Sequence, residues 1–366
     1  MQISLTREEL LKPLSYVAGV VERRQTLPVL SYVLLRQQEG EMTLTGTDLE
    51  IEVVAKLKKA NGPNLEMTLP ARKLFDICRA LPVDSEIIIK KDGEKAVIKS
   101  GKSRFALATV PAADFPYIQA SQWEQVLTIP QRKLKSLFEQ THFCMAQQDV
   151  RYYLNGLLLE LTDKKLRAVA TDGHRMALSE IALEKNTKGD KQVIVPRKGI
   201  QEMMRLLEDT DEALELQIGV NHLRAQTSAF VFTSKLIDGR YPDYTKVIPH
   251  TQSKLLNLPR ESFRETLGRV AILSSEKYRG VRLSLSNNVL RVTAHNPEQE
   301  EAQEEVTTDY NGEMLEIGFN VNYMIEAIAA LRSENIVFGL NDPNSSCTLS
   351  SPDVRYPQYV IMPMRL

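Results

Sequence analysis

The sequence predicts an α+β protein made of three tandem similar domains, each with two helices packed on antiparallel sheet, and three observations predict it. The first is a short pattern written three times. Leu44-Thr45-Gly46-Thr47-Asp48, Val169-Ala170-Thr171-Asp172 and Val292-Thr293-Ala294-His295-Asn296 set Asp48, Asp172 and Asn296 apart by 124 residues at both steps. The second is that flanking segments keep this register. Leu69-Pro70-Ala71-Arg72-Lys73 reappears as Val195-Pro196-Arg197-Lys198-Gly199 and as Phe319-Asn320-Val321-Asn322-Tyr323, at offsets of 126 and 124. The third is that hydrophobic periodicity alternates in each unit between the spacing of a helix and that of a strand. A period this long copies a whole domain, since solenoid repeats run to roughly 20 to 50 residues. The expected domains are 1–124, 125–252 and 253–366, closed by the aromatic-proline segments Asp114-Phe115-Pro116-Tyr117, Arg240-Tyr241-Pro242-Asp243-Tyr244 and Arg355-Tyr356-Pro357-Gln358-Tyr359.

In the first unit Thr6, with Glu9 three residues on, is a capping-box start for a helix, and Leu10, Leu11, Leu14 and Val17 supply its apolar stripe. Pro13 is expected to kink it. Tyr32 to Gln37 and Met42 to Thr45 read as strands joined at Glu39-Gly40, followed by a strand from Ile51 to Leu57. Leu74, Ile77, Cys78 and Leu81 mark a second helix, stopped by Pro82, and Ile87 to Lys90, Ala96 to Ser100 and Arg104 to Thr109 complete the unit as strands. The second unit carries helices at about Gln131 to Phe143 and Arg197 to Leu207, the third at about Arg260 to Leu273 and Val321 to Leu331.

Composition is that of an ordinary soluble protein, with 43% hydrophobic and 25% charged residues. No apolar run approaches the roughly 20 residues of a membrane span, and the start, Met1-Gln2-Ile3-Ser4-Leu5, has no signal-peptide pattern. Cys78, Cys144 and Cys347 are far apart and form no metal or redox motif, which suits a reducing cytoplasm. Net charge is −1, with +1, +2 and −4 in the three units. The six expected helices, however, hold 15 basic residues against 9 acidic ones. A positive helix side and a negative sheet side make a field suited to a polyanion.

Enzyme signatures are absent: there is no phosphate-binding glycine loop, no HExxH and no GxSxG. His174 follows Asp172 by two residues, but Asp172-Gly173 is a turn signal and no nucleophile accompanies the pair. His142-Phe143-Cys144 reads as core packing. The acids Glu298, Glu300, Glu301, Glu304 and Glu305 lack the glycine and ligand alternation of a calcium loop and read as a solvated or partner-facing strand. Lys99, Lys102 and Arg104, beside Phe105 and Leu107, offer the opposite charge on the first unit, an invitation to head-to-tail pairing. In the apolar tail Tyr359-Val360-Ile361-Met362-Pro363-Met364-Arg365-Leu366, Tyr359 to Ile361 reads as a final strand completing the sheet of the third unit, and Met362 to Leu366 as an adaptable, methionine-bearing binding surface. Two rival readings are a metal-dependent phosphoesterase using His174, Asp172 and the Glu298 to Glu305 acids, and a monomeric peptide-binding scaffold.

From end to end the chain resembles the bacterial DNA polymerase III beta-subunit, or sliding-clamp, family. The carriers are Leu44-Thr45-Gly46-Thr47-Asp48-Leu49-Glu50, Pro70-Ala71-Arg72-Lys73, Asp149-Val150-Arg151-Tyr152-Tyr153-Leu154-Asn155-Gly156, Ala170-Thr171-Asp172-Gly173-His174-Arg175, Val195-Pro196-Arg197-Lys198, Asn296-Pro297-Glu298-Gln299-Glu300 and Met362-Pro363-Met364-Arg365-Leu366. The resemblance implies a DNA-clamp fold and a homodimeric ring with helices facing an enclosed duplex DNA. It implies a processivity factor, with no catalytic site, no cofactor and no metal. Its DNA-facing positions fall on Arg24, Arg72, Gln148, Arg151, Tyr152, Tyr153, Lys198 and Arg205. Its dimer contact falls on Phe105 and Leu107 against Ile272 and Leu273, with Lys73 and Arg104 near Glu298, Glu300 and Glu301. A pocket for short partner peptides, between the second and third domains, falls on Leu154, Thr171, Gly173, His174, Arg175, Met176, Pro242, Lys246, Val247, Asn320, Tyr323, Ser346, Val360, Met362, Pro363, Met364 and Arg365. The implied partners are the DNA polymerase III alpha subunit, the clamp-loader delta subunit, translesion polymerases and repair proteins. Two departures stand out: Glu22-Arg23-Arg24-Gln25 occupies a loop usually richer in glycine, and Thr245-Lys246 is less basic than the family pattern.

Overall fold

The structure, a computed structural model, describes residues 2–21, 27–57, 64–119, 122–184, 187 and 189–365. Arg24 and the rest of its loop lie outside the described residues. The first repeat runs β1 (Gln2–Thr6), α1 (Arg7–Ala18), β2 (Tyr32–Gln38), β3 (Glu41–Thr47), β4 (Ile51–Leu57), β5 (Leu65–Pro70), α2 (Ala71–Ala80), β6 (Glu86–Asp92), β7 (Lys95–Ser100) and β8 (Ser103–Ala108). The second repeats the order: β9 (Trp123–Pro130), α3 (Gln131–Glu139), β10 (Gly156–Thr162), β11 (Lys165–Thr171), β12 (Arg175–Ala182), β13 (Lys191–Pro196), α4 (Arg197–Leu206), β14 (Ala213–Gly219), β15 (His222–Gln226) and β16 (Phe230–Lys235). The third is β17 (Lys254–Pro259), α5 (Arg260–Val270), β18 (Gly280–Ser286), β19 (Val289–His295), β20 (Glu301–Thr307), β21 (Leu315–Asn320), α6 (Val321–Ala330), β22 (Asn335–Leu340), β23 (Cys347–Ser350) and β24 (Gln358–Ile361).

The chain divides into two compact units, residues 1–132 with 201–236 and residues 133–200 with 237–366. Among the described residues, each unit holds one eight-stranded and one four-stranded sheet. In the first, the large sheet has the order β5-β2-β3-β4-β16-β15-β14-β9 and the small one β1-β6-β7-β8. In the second, the orders are β13-β10-β11-β12-β24-β23-β22-β17 and β20-β19-β18-β21. All the ladders are antiparallel, and each large sheet takes four strands from one repeat and four from the next. They are stitched where β4 meets β16, with Val53 opposite Phe232, and where β12 meets β24, with Ala177 opposite Tyr359.

The helices form where local chemistry favours them. Thr6 Oγ1 accepts from the Glu9 N–H at 3.2 Å while Glu9 Oε2 accepts from the Thr6 N–H at 3.0 Å, closing the expected capping box. The helix runs through Pro13 and buries Leu10, Leu14 and Val17, with Leu11 left half-buried. Burial of each such side chain is worth roughly 1.5–3 kcal/mol. α1 packs on β3 and β4, and Gly46 permits the close approach, since a Cβ there would lie 3.1 Å from the Val17 carbonyl. α2 ends at Leu81, whose extended ψ of 152° is what a following proline imposes.

Four expectations change. Strands that open each repeat (β1, β9, β17) and that precede each second helix (β5, β13, β21) are additional to those read from the sequence. α3 and α5 stop early, their last expected turns being 3-10 helix at His142–Cys144 and Ala271–Leu273. Arg332 and Glu208 fall beyond their helices, which leaves the excess of helical base over acid unchanged. The third aromatic-proline pair is not the counterpart of the other two: Phe115-Pro116 and Tyr241-Pro242 follow β8 and β16, whereas Tyr356-Pro357 precedes β24. By strand register the residue equivalent to Phe105 and Phe232 is Tyr359, each sitting opposite the matching residue of the strand before it.

Candidate functional site

The thrice-written pattern is a turn. Asp172 Oδ1 accepts from the His174 and Arg175 N–H groups at 2.9 and 3.0 Å, while Thr171 Oγ1 accepts from Gly173 N–H at 3.1 Å and donates to the Arg175 carbonyl at 2.6 Å. The first repeat builds the same object: Asp48 Oδ1 accepts from Glu50 and Ile51 at 2.9 and 2.7 Å, and Thr47 Oγ1 accepts from Leu49 at 3.0 Å. Gly173 and Leu49 both take positive φ, 89° and 77°. Asp172 is thus spent on backbone and on Arg175 Nε at 3.2 Å, so it is no partner for general-base work by the exposed His174. Asn296 caps a longer loop, accepting from the Glu300 N–H at 2.8 Å.

The second unit carries a cavity of about 220 Å³ beside this turn. Its apolar wall is Leu154, Met176, Pro242, Val247, Val360 and Met362, and Thr171, Gly173 and Arg175 supply a polar rim. The structure adds Arg151, Tyr153, Asp243 and Tyr244 to the expected lining. Tyr244 and Asp243 stand in the aromatic-proline segment that the sequence marked as a closure and not as a wall. Tyr244 is oriented from behind, donating to Glu160 Oε2 at 2.6 Å and accepting from Arg167 Nη1 at 2.8 Å. Burial pushes its phenol up to about 12. Asp243 pairs with the exposed Lys246 at 3.4 Å.

Arg175 ties this wall to α6. Its Nη2 donates to the Phe143 carbonyl at 2.8 Å, its Nη1 bonds Glu326, and its Cζ lies 4.3 Å from the Tyr323 ring centroid. Asn320 caps α6, its Oδ1 accepting from Asn322 and Tyr323 at 3.0 and 3.3 Å. The tail is anchored: Met362 N–H donates to the His174 carbonyl at 2.8 Å and Met364 N–H to the Gly318 carbonyl at 2.9 Å. His174, Lys246, Asn320, Tyr323, Ser346, Pro363, Met364 and Arg365 are outside the cavity's lining.

The cavity shares a wall with the expected DNA-facing loop. Arg151 is clasped by Asp149, Nε to Oδ1 at 3.0 Å and Nη2 to Oδ2 at 2.8 Å, and also donates to the Asp172 carbonyl at 3.2 Å. The hydrogen bond from Arg151 holds the Asp149 carboxyl down to about 2. Gln148 has φ 56°, Tyr152 is exposed, and Tyr153 is half-buried beside it. Arg72 is exposed on α2 and Lys198 is half-buried on α4. Arg205 differs, because its guanidinium is committed to the Ser15 and Tyr16 carbonyls at 2.6 Å each. Among the described helix residues, Lys133 and Lys135 on α3, along with Arg72, Lys73 and Arg79 on α2, keep their charges without an ion pair or hydrogen bond. The first two were not singled out in the sequence.

The expected dimer residues lie on two strand edges and one turn. Phe105 and Leu107 are on β8 with exposed Arg104; Glu301 opens β20 behind exposed Glu298 and Glu300; Ile272 is 75% exposed in the turn after α5, beside half-buried Leu273. Exposed Lys73 is on α2. All three cysteines are buried, and burial pushes the Cys78 thiol up to about 12. Among the described residues no group of acids, histidines and cysteines is placed to hold a metal, and no helix is long and apolar enough to cross a membrane.

The N-terminal, central and C-terminal domains of the DNA polymerase III beta subunit match residues 1–119, 128–243 and 245–365. The beta sliding clamps of Pseudomonas aeruginosa and Escherichia coli K12 are 51% and 48% identical to the chain, with all of both chains covered. A crystal structure of the P. aeruginosa sliding clamp matches with TM-score 0.97 at 50% identity, and a solved structure of Caulobacter crescentus pol III beta with 0.94 at 36%, again over all of both chains. With repeats, sheets and full-length relatives in agreement, the chain belongs to the DNA polymerase III beta-subunit family, the non-catalytic sliding clamps of bacterial DNA replication.

Proposed function

We propose that the chain works as a head-to-tail homodimeric ring around duplex DNA in the cytoplasm. It would tether the DNA polymerase III alpha subunit, the clamp-loader delta subunit, translesion polymerases and repair proteins through the cavity beside Arg175. One observation carries the reading. Within the chain β4 is completed by β16 and β12 by β24, and among the described residues one strand of each kind, β20 and β8, is left at a sheet edge. Long free edges of this sort invite pairing. Carrying the internal register over puts Phe105 of one copy opposite Ala302 of the other, as Phe232 stands opposite Val53 and Tyr359 opposite Ala177. Leu107, Ile272 and Leu273 then supply apolar burial, and Lys73 and Arg104 meet Glu298, Glu300 and Glu301.

Duplex contact falls to Arg72, Gln148, Arg151, Tyr152, Tyr153 and Lys198, joined by Lys133 and Lys135. Phosphate contacts of this kind carry no sequence information, which suits sliding. Arg24 stays in the proposed set on resemblance alone, while Arg205 leaves it. The cavity's methionines and rings suit apolar peptide anchors. Sedimentation tests the edges: the unmodified chain runs as a dimer at micromolar concentration, and Ile272→Ala with Leu273→Ala runs as a folded monomer. A double variant that stays fully dimeric would remove these residues from the interface.

A further inference from the structure

The first junction between repeats shows how helices are held where two repeats share a sheet. Arg205, in the last turn of α4, donates through Nη1 to the Ser15 carbonyl and through Nη2 to the Tyr16 carbonyl, 2.6 Å each, near the end of α1. Its Nε donates to Glu202 Oε2 at 2.9 Å, which aims the guanidinium. The seat is tight, since a Cβ on Gly19 would lie 2.5 Å from Arg205 Nε. A cation there meets the negative end of the helix dipole with charge-assisted bonds.

We propose that Arg79 makes this same contact between two copies of the chain, capping the last turn of α5 in the partner copy; the inference rests on the dimer reading above. α2 and α4 begin at Ala71 and Arg197, which sets Asp76 and Arg79 at the places of Glu202 and Arg205. α1 and α5 begin at Arg7 and Arg260, which sets Gly268 and Arg269 at the places of Ser15 and Tyr16. Both sides are ready for it. Arg79 is exposed, and among the described residues its guanidinium has no hydrogen-bond or ion-pair partner. A Cβ on Gly268 would touch nothing within 4 Å. The Arg269 guanidinium is drawn aside onto Glu304, at 2.7 and 2.9 Å, so it does not repel the incoming charge. Glu265 and Glu304 add negative potential at the helix end. Arg79 is therefore an interface cation, although it stands on a helix whose Arg72 is assigned to DNA.

Two measurements test this. Arg79→Ala weakens dimerisation at least about tenfold, as expected for loss of charge-assisted bonds, while the salt dependence of duplex binding is unchanged. Arg79→Cys with Gly268→Cys, treated with a short bismaleimide, gives a covalent dimer, because the native cysteines are buried. No covalent dimer from a double variant that sediments as a dimer overturns the Arg79 contact and leaves the dimer reading standing. An unmodified chain that is monomeric at micromolar concentration overturns both. A flatter salt dependence in Arg79→Ala, with dimerisation intact, overturns the contact in favour of a phosphate role.

Discussion

The Arg175 guanidinium lies over the Tyr323 ring, its Cζ 4.3 Å from the centroid, so a side chain lining the cavity on β12 is stacked against helix α6. The same group bonds Asp172, Glu326 and the Phe143 carbonyl, and its side chain is only 11% exposed. Arg175→Ala removes all four contacts and leaves the Phe143 carbonyl without its donor. The expected result is a loss of about 2–4 kcal/mol of stability and peptide affinity at least about tenfold weaker. Fluorescence polarisation with a labelled clamp-binding peptide checks the second, with duplex binding as the internal control.

Leu49 and Gly173 hold one turn position with φ of 77° and 89°. A leucine is strained there and a glycine is not. Leu49→Gly is expected to stabilise the protein by up to about 1 kcal/mol through relief of that strain, read as a higher denaturation midpoint. Gly173→Ala acts in the other direction, because its Cβ would lie 2.9 Å from Arg151 Nη1. Displacing Arg151 reshapes the cavity wall, so peptide affinity falls more than stability does.

Glu52 stands where the second repeat has Met176, opposite Thr233 as Met176 is opposite Val360. It is buried, and its Oε2 accepts from the Ile118 N–H at 3.1 Å. Burial raises its pKa, partly offset by that hydrogen bond and by Arg224. The folded value lies above the unfolded one, so the native state holds the proton more tightly. That stabilisation is complete below the ordinary carboxylate range and is lost as pH rises through the raised folded value. Glu52→Gln keeps an acceptor for Ile118 without the charge. Its denaturation midpoint is expected to exceed that of the unmodified protein at pH 7, with the gap closing as pH falls through the carboxylate range. An equal gap at all pH values would show that the ionisation of Glu52 costs nothing.

The repeats, the six helices and the Thr6 capping box were legible because each has a local signature. The opening strands were harder to read: β1 is five residues long, directly before a cap, and its alternation of Ile3 and Leu5 merges with the helix that follows. The stitching of β4 to β16 was invisible, since the paired residues, such as Val53 and Phe232, are far apart in sequence and carry no mutual signal. The cavity's apolar wall followed from family resemblance, yet Tyr244 did not. Its role depends on Glu160 and Arg167, which meet it only in the folded chain. Arg205 entered the DNA-facing set by family resemblance, and the bonds of its guanidinium to the Ser15 and Tyr16 carbonyls have no local signature in the sequence.

The most direct test of the clamp reading is topological. The unmodified protein, loaded by a clamp loader onto nicked circular duplex, is expected to stay bound through gel filtration at a salt concentration that strips ordinary phosphate contacts, and to leave when the circle is cut once. Equal retention on circular and linear DNA, or loss from both, would contradict the account.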